Sequence, residues 1–402
     1  MQENFIQAKD GKLLFTKDFF ENCMRKQFSD PNLTVTKANY IPSLSEKMTL
    51  ELKHPKKGDR PIGVQHYQLS YIRQNKKEIR EVLVKSKISE KNYLQAISQA
   101  FEKCGISTAE PLINYLSQLE FMGVNHKEIA IYKMQKDYSA FQKFTPACYG
   151  YYFNEKEGAC ILLLQYLDNE YLSLDTFNVE KWNQTAIDYY IDALSQLHAV
   201  WYGKTTTLMS KFSCFRNRLN ADKMQTLIPY WLALKLAVEK AALPFLKSDD
   251  HAFHQQLINQ LPTWRPQLDL MTQTLVQNDC VPKNVGLKLN NEQKNVYIYD
   301  WEIATIQVPQ RDLIEFLAYV LPDSFDEALL KHYIEHHQQQ VMKNSQQNVA
   351  IKEWYLGFLY SAYDYLIQRV LPQLVFEKLE ARNIQKIYKN TRKMISILTQ
   401  GE

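Results

Sequence analysis

The chain has 402 residues, of which 45% are apolar and 23% charged, and carries a formal net charge of +4. That length gives room for two lobes with a sizeable core. The small charge argues against a nucleic-acid partner while suiting an anionic ligand. Six cysteines are scattered with no Cys-x-x-Cys pair, which excludes a disulfide framework or a zinc ribbon. No apolar run reaches the length of a bilayer span and no signal core opens the chain, so no membrane association and a soluble, cytoplasmic protein are expected.

In chain order, residues 10–30 read as a helix with Leu14, Phe15, Phe19 and Phe20 on one side. A β-rich stretch follows: 47–52, then 64–72 and 80–85, the last two joined by the charged turn Arg73 to Glu78. Between them Pro55 to Pro61 is a polar loop. Leu94, Ile97, Phe101 and Cys104 fall at helical spacing. Ser107 and Glu110 have capping-box spacing ahead of Pro111 and a helix lined by Leu112, Tyr115, Leu116 and Leu119. Another helix is expected from His126 to about Asp137. Strands are expected over 148–153 and 159–166, with Asn154 to Gly158 as their turn. After Asp168 the pattern becomes helical. Ile187, Ile191, Leu194, His198 and Trp201 form one stripe, and residues 221–246, 251–272 and 311–400 are further helical stretches. The reading is an α+β chain, with a β-rich part over 1–165 and a larger helical part over 166–402. The strand ending at Tyr166 runs into the hinge between them.

One β-pair interrupts the helical part, and it carries the chemistry. Asp279 precedes Asn284, and Asp300 ends the second strand, Val296-Tyr-Ile-Tyr-Asp300. A carboxylate, an amide five residues on and a second carboxylate at a strand end suit phosphoryl transfer. The first acid can orient a hydroxyl, while the amide and second acid can hold Mg²⁺ on nucleotide phosphates. If Leu289 pairs with Asn295, Asn284 lies directly opposite Asp300, roughly 5 Å away at Cα. A slip of one residue would move Asp300 to the other face. Such chemistry also needs a strand lysine oriented by a helix glutamate. Lys85 ends the apolar run Val82-Leu-Val84, Lys87 is the fallback two residues on, and Glu128 begins the helix at His126.

In this set the sequence resembles the aminoglycoside phosphotransferase and choline kinase-like small-molecule kinases. Leu275-Val-Gln-Asn-Asp279-Cys-Val-Pro-Lys-Asn284 is similar to their His-x-Asp-x-x-x-x-Asn loop. Tyr299-Asp300-Trp-Glu302 resembles the second metal motif, Pro309-Gln-Arg-Asp312-Leu the segment after it, and Leu197-His198-Ala199 a Leu-His-Ala helix. The likeness runs from about Lys47 to Tyr319. It implies a protein-kinase-like bilobal fold with ATP, or GTP, between the lobes. It also implies Asp279 as base, Mg²⁺ at Asn284 and Asp300, and a small-molecule hydroxyl as acceptor. The nucleobase would sit near the backbone of Gln165 to Leu167, with Asp312 and His198 in support.

Two positions depart from the family pattern. Gln277 replaces the histidine two residues before the base, and only Gly58 and Gly63 stand where a glycine-rich phosphate loop is expected. A pseudokinase that binds nucleotide or a partner without transfer is therefore the second reading. A protein kinase is disfavoured, since no Ala-Pro-Glu segment follows Asp300. His332, His336 and His337 could present two metal ligands on one helix face, but no third ligand set is evident and a polar helix face is the preferred reading. Asp222, Glu239, Asp249 and Asp250 are dispersed, which leans away from a polycationic acceptor.

Overall fold

The computed structural model describes residues 4–7, 13–42, 60–168, 171, 182–289, 294–376 and 381–400. Near the amino terminus β1 (Phe5–Gln7) pairs with β2 (Leu13–Phe15), so Leu14 and Phe15 belong to a strand rather than to the expected helix. Thr16 is the reason: its hydroxyl accepts from the Phe19 amide and starts the helix Lys17–Phe28 after the strand.

Five strands then make one antiparallel sheet in the order β3-β4-β5-β7-β6. They are β3 (Thr34–Ile41), β4 (Gly63–Arg73), β5 (Lys76–Lys87), β6 (Cys148–Asn154) and β7 (Ala159–Gln165). Of these, β3 was not foreseen from the sequence, and the strand expected at 47–52 lies outside the described residues. The turn between β4 and β5 is tighter than expected. Gln74 and Asn75 both take positive φ, 49° and 61°, the geometry of a two-residue hairpin.

The sheet is covered on both faces, which is why β7 reads as an unbroken apolar run. Ile161 and Leu163 pack with Val82 and Val84 against Phe19, Phe20, Cys23 and Met24 of the first helix. Cys160, Leu162 and Leu164 face the other way, onto Ile129 and Tyr132 of the helix Val124–Met134. Each such side chain contributes about 1.5–3 kcal/mol by burial. Gly150 on β6 permits the first helix to approach closely, since a Cβ there would lie 2.9 Å from the Cys23 carbonyl. By the same alternation Lys85 and Lys87 point to the Val124–Met134 side.

The rest of the described chain is mainly helical around one large apolar cluster. The stripe Ile187, Ile191, Leu194, His198 and Trp201 is buried along Gln184–Trp201. The stretch 221–246 divides into Ala221–Thr226 and Ile228–Ala241, and 251–272 contains Ser248–Asn259 and Leu261–Leu270. Both later helices carry a proline in their first turn, where the missing N–H costs nothing. No capping box forms at Ser107 and Glu110. The helix Leu112–Leu116 starts at Pro111 without a side-chain cap, and Thr108 donates to the Glu110 carbonyl instead. Among the described residues no helix is long and apolar enough to cross a membrane.

Candidate active site

The strand lysines and the helix glutamate meet as a buried knot. Glu128 is fully buried, and both lysines reach it: Lys85 Nζ at 3.0 Å from Oε1, Lys87 Nζ at 2.7 Å from Oε2. Its helix is positioned from an earlier one, Glu90–Lys103. Glu90 accepts from the amides of Gly123 and Asn125, at 3.1 and 3.3 Å, where the helix begins. Lys85 also donates to Asp300 Oδ1 at 2.7 Å, and Lys87 pairs with Glu302 at 2.8 Å. Glu302 was quoted in the sequence motif without a role. The signal was its place two residues after Asp300.

The loop that carries Asp279 follows β8 (Thr274–Val276). After Asp279 come a 3-10 turn, Pro282–Asn284, and the hairpin β9 (Val285–Leu289) and β10 (Lys294–Ile298). The strand β11 (Thr305–Gln307) closes the segment by pairing with β8. The hairpin register is one residue away from the expected one. Leu289 pairs with Lys294 and Val285 with Ile298, so Asn284 stands opposite Tyr299, whose amide donates to its carbonyl at 3.0 Å. Asp300 is past the ladder with φ 60°, a left-handed conformation that frees its side chain from strand alternation. It turns to Lys85.

Asn284 reaches Asp279. Its Nδ2 donates to Asp279 Oδ2 at 2.7 Å and to the Asp279 carbonyl at 2.9 Å, which fixes the orientation of the carboxylate. Gln277 links the two halves of the site. Its Nε2 donates to the carbonyls of Tyr299 and Asp300, both at 2.9 Å, and its Oε1 accepts from the Asp279 amide at 2.7 Å. One side-chain amide therefore ties the Asp279 loop to the Asp300 loop, using both its donor and its acceptor.

Three further residues hold this loop from below. Asp312 accepts from the amides of Gln277 and Asn278 at 2.7 and 2.8 Å, and from His198 Nε2 at 3.0 Å. Glu315 accepts from the Cys280 amide at 3.2 Å, and Arg369 donates to the Asn278 carbonyl at 2.8 Å. Asn278 needs this support, with φ 65°. Sequence reasoning reached Asp312 but neither Glu315 nor Arg369, which lie far along the chain and belong to no local motif.

Carboxylates outnumber cations here. Asp300 is partly buried beside Glu302, Glu128 and Asp279. Burial, relieved by Lys85 but renewed by those acids, pushes its carboxyl up to about 6. Burial alone would also raise Glu302, but Lys87 and Lys85 outweigh it and hold that group at about 2. Four carboxylates against two ammonium groups leave a formal deficit of two positive charges. That deficit, with carboxylate and amide oxygens as donors, fits a hard divalent cation. Glu128, Asp300 and Glu302 also bring oxygens within 4.8 Å of one another.

The connector after β7 adjoins the hairpin. The Gln165 amide donates to the Ala147 carbonyl at 2.8 Å, and Tyr166 stacks on His66 with ring centres 3.8 Å apart. A Cβ on Gly286 of β9 would lie 2.8 Å from the Leu167 side chain. The connector at 165–167 and the Asp279 hairpin thus lie side by side. The helix histidines make contacts of their own. His337 is buried with its Nε2 3.2 Å from His198 Nδ1, and His332 and His336 pair with Asp188 and Asp192.

The sheet carries the paired lysine, the next helices the glutamate, and the loop and hairpin the two aspartates. This is a protein-kinase-like fold. No family model matches the sequence, and no curated protein does. Solved choline kinases and aminoglycoside phosphotransferases match across the chain at low identity. A choline kinase from Streptococcus pneumoniae is 13% identical over 94% of this chain and 98% of its own, with a TM-score of 0.43. A choline kinase from Cryptosporidium parvum is 12% identical over 94% and 93%, with a TM-score of 0.45. The GDP complex of aminoglycoside 2'-phosphotransferase-IIIa is 12% identical over 96% and 100%, with a TM-score of 0.44.

Proposed function

We propose that this chain transfers the γ-phosphoryl group of ATP, or of GTP, to a hydroxyl of a small molecule. The observation that carries the reading is the meeting of Lys85, Glu128 and Asp300 within one ion-paired knot, at 2.7 to 3.1 Å. A strand lysine held by a helix glutamate beside a loop aspartate is what phosphate binding requires. Asp279, oriented by Asn284, takes the proton of the acceptor hydroxyl as its oxygen bonds to the γ-phosphorus. The bond to the β-phosphate oxygen breaks, and the nucleoside diphosphate leaves. Lys85 exchanges its Asp300 contact for phosphate oxygens while Glu128 keeps it aimed. Gln165 and Leu167 offer the connector backbone and an apolar surface to the nucleobase. Asn284 and Asp300 would hold Mg²⁺, which when bound neutralises the phosphate oxygens.

A second reading, nucleotide binding without transfer, draws on the same knot: Lys85 occupies Asp300 at 2.7 Å. Turnover separates the two. A hydroxyl-substrate panel with Mg²⁺ and ATP, read by mass spectrometry, is expected to yield a phosphorylated product. Asp279→Asn should then lower kcat by about 10²- to 10⁴-fold while nucleotide binding persists. A variant that turns over like the wild type would remove Asp279 from the role of base.

A further inference from the structure

Behind the Glu128 helix, away from the phosphate side, a cleft encloses about 540 Å³. That volume is in the range of small-molecule sites, roughly 300–1,000 Å³. None of Lys85, Glu128, Asp279, Asn284 and Asp300 lines it. One wall is a single stripe of the helix Val124–Met134: His126, Ile129, Ala130 and Lys133, at i, i+3, i+4 and i+7. Glu128 leaves the same helix on the opposite side.

The charged side chains that line this cleft are of one sign. Lys26, Lys133, Lys136 and Lys211 line it, and no carboxylate among the described residues does. Lys136 and Lys211 are tethered, to the Gln27 carbonyl at 3.4 Å and the Tyr138 hydroxyl at 2.8 Å. Lys133 lies over the Tyr151 ring, 5.8 Å from its centre. Ammonium groups gathered around a partly apolar concavity repel one another and raise the local concentration of anions. Aromatic rings line it as well. Phe153 meets His126 edge-on with ring centres 4.7 Å apart, and Tyr151, Tyr152 and Phe212 are further lining residues. A flat ring can lie along these faces while its charged group meets the lysines.

We propose that this cleft binds a small anion bearing an aromatic ring, of the aryl phosphate class, and that its occupancy steadies the helix carrying Glu128. The walls come from the first helix, from β6, from the Glu128 helix and from residues 211–214 of the helical part, so one ligand joins all four. The second half of the proposal rests on the proposed function, because it matters through the hold of Glu128 on Lys85. The binding itself does not.

The probe is 1-naphthyl phosphate, titrated calorimetrically at low ionic strength. One equivalent should bind to the wild type. Lys26→Glu with Lys133→Glu should weaken it by about tenfold or more, Lys26→Met with Lys133→Met by less, and Lys85→Met, which acts only through the coupling, by less than either. The neutral 1-naphthol should bind more weakly than the phosphate. No saturable binding, binding indifferent to both double variants, or binding lost in Lys85→Met overturns the site. Hydrogen exchange over residues 124–134 should slow when the probe saturates the protein, and unchanged exchange overturns the coupling. Both measurements are made without turnover. Failure of phosphoryl transfer is thereby distinguishable from failure of this site.

Discussion

Glu128 binds both lysines that the sequence offered, Lys85 first and Lys87 as its fallback. Positions two apart on a strand share a face, so Lys85 and Lys87 arrive together, and side-chain reach is not written in the pattern. The structure gives them different surroundings. Lys87 is 1% exposed between Glu128 and Glu302, whereas Lys85 is 16% exposed and turns to Asp300. Removing the deeper ammonium leaves buried carboxylates short of a partner, a loss of about 3–5 kcal/mol. Lys87→Met is therefore expected to lower the urea midpoint strongly. Lys85→Met should lower it less, yet reduce kcat/KM by roughly a hundredfold or more, because in the proposed function its charge meets the phosphates. Equal effects of the two variants on turnover would contradict this division. Asp300 teaches a related lesson. Alternation governs a side chain only inside the ladder, and Asp300 lies one step beyond it at φ 60°, so a register slip that should have misplaced it did not.

At the scale of elements, the Asp279 loop is held by pieces remote in sequence. Asp312 and Glu315 come from the helix Gln310–Val320, and Arg369 from the π-helical turn Leu366–Val370. Wide turns of this kind recur at functional sites because they re-aim a side chain out of helical register. Of these Asp312 was legible, whereas the Glu315 and Arg369 contacts were not, since each depends on packing between distant helices. The local signals, by contrast, were: the apolar stripe of Gln184–Trp201, the hairpin strands and the proline starting Ile228–Ala241. Glu315 gives this scale its test. Burial pushes its carboxyl up to about 7, although Arg311 and Arg369 pull it down. In the unfolded chain the group titrates near its ordinary 4.5, so between there and about 7 the native state keeps a proton that the unfolded state has lost. Stability should fall as pH rises through that window, by about 1–3 kcal/mol. Glu315→Gln, which keeps an acceptor for the Cys280 amide, should lack this decline. Urea midpoints of the two proteins across the window measure the difference, and parallel curves would refute the assignment.

For the whole molecule, the knot joins sheet to hairpin through charge. Lys85 and Lys87 of β5 hold Asp300 and Glu302 of the hairpin segment, with Glu128 between them. The sheet packs the first helix on one face and the Glu128 helix on the other, and from the second face its lysines reach Asp300 and Glu302. A ligand that supplies both a divalent cation and phosphate oxygens would satisfy the excess carboxylates and free Lys85 at once. The two should therefore stabilise the fold cooperatively. At a hundredfold excess over Kd, MgATP is expected to raise unfolding stability by about 2.7 kcal/mol, while ATP with a chelator, or Mg²⁺ alone, raises it far less. Asp300→Asn removes one carboxylate and should erase the increment that Mg²⁺ adds to ATP, while leaving an effect of ATP alone through Lys85. Chemical denaturation of both proteins under these conditions decides it. If Mg²⁺ adds as much to the variant as to the wild type, the cation is held elsewhere and Asp300 serves only to pair Lys85.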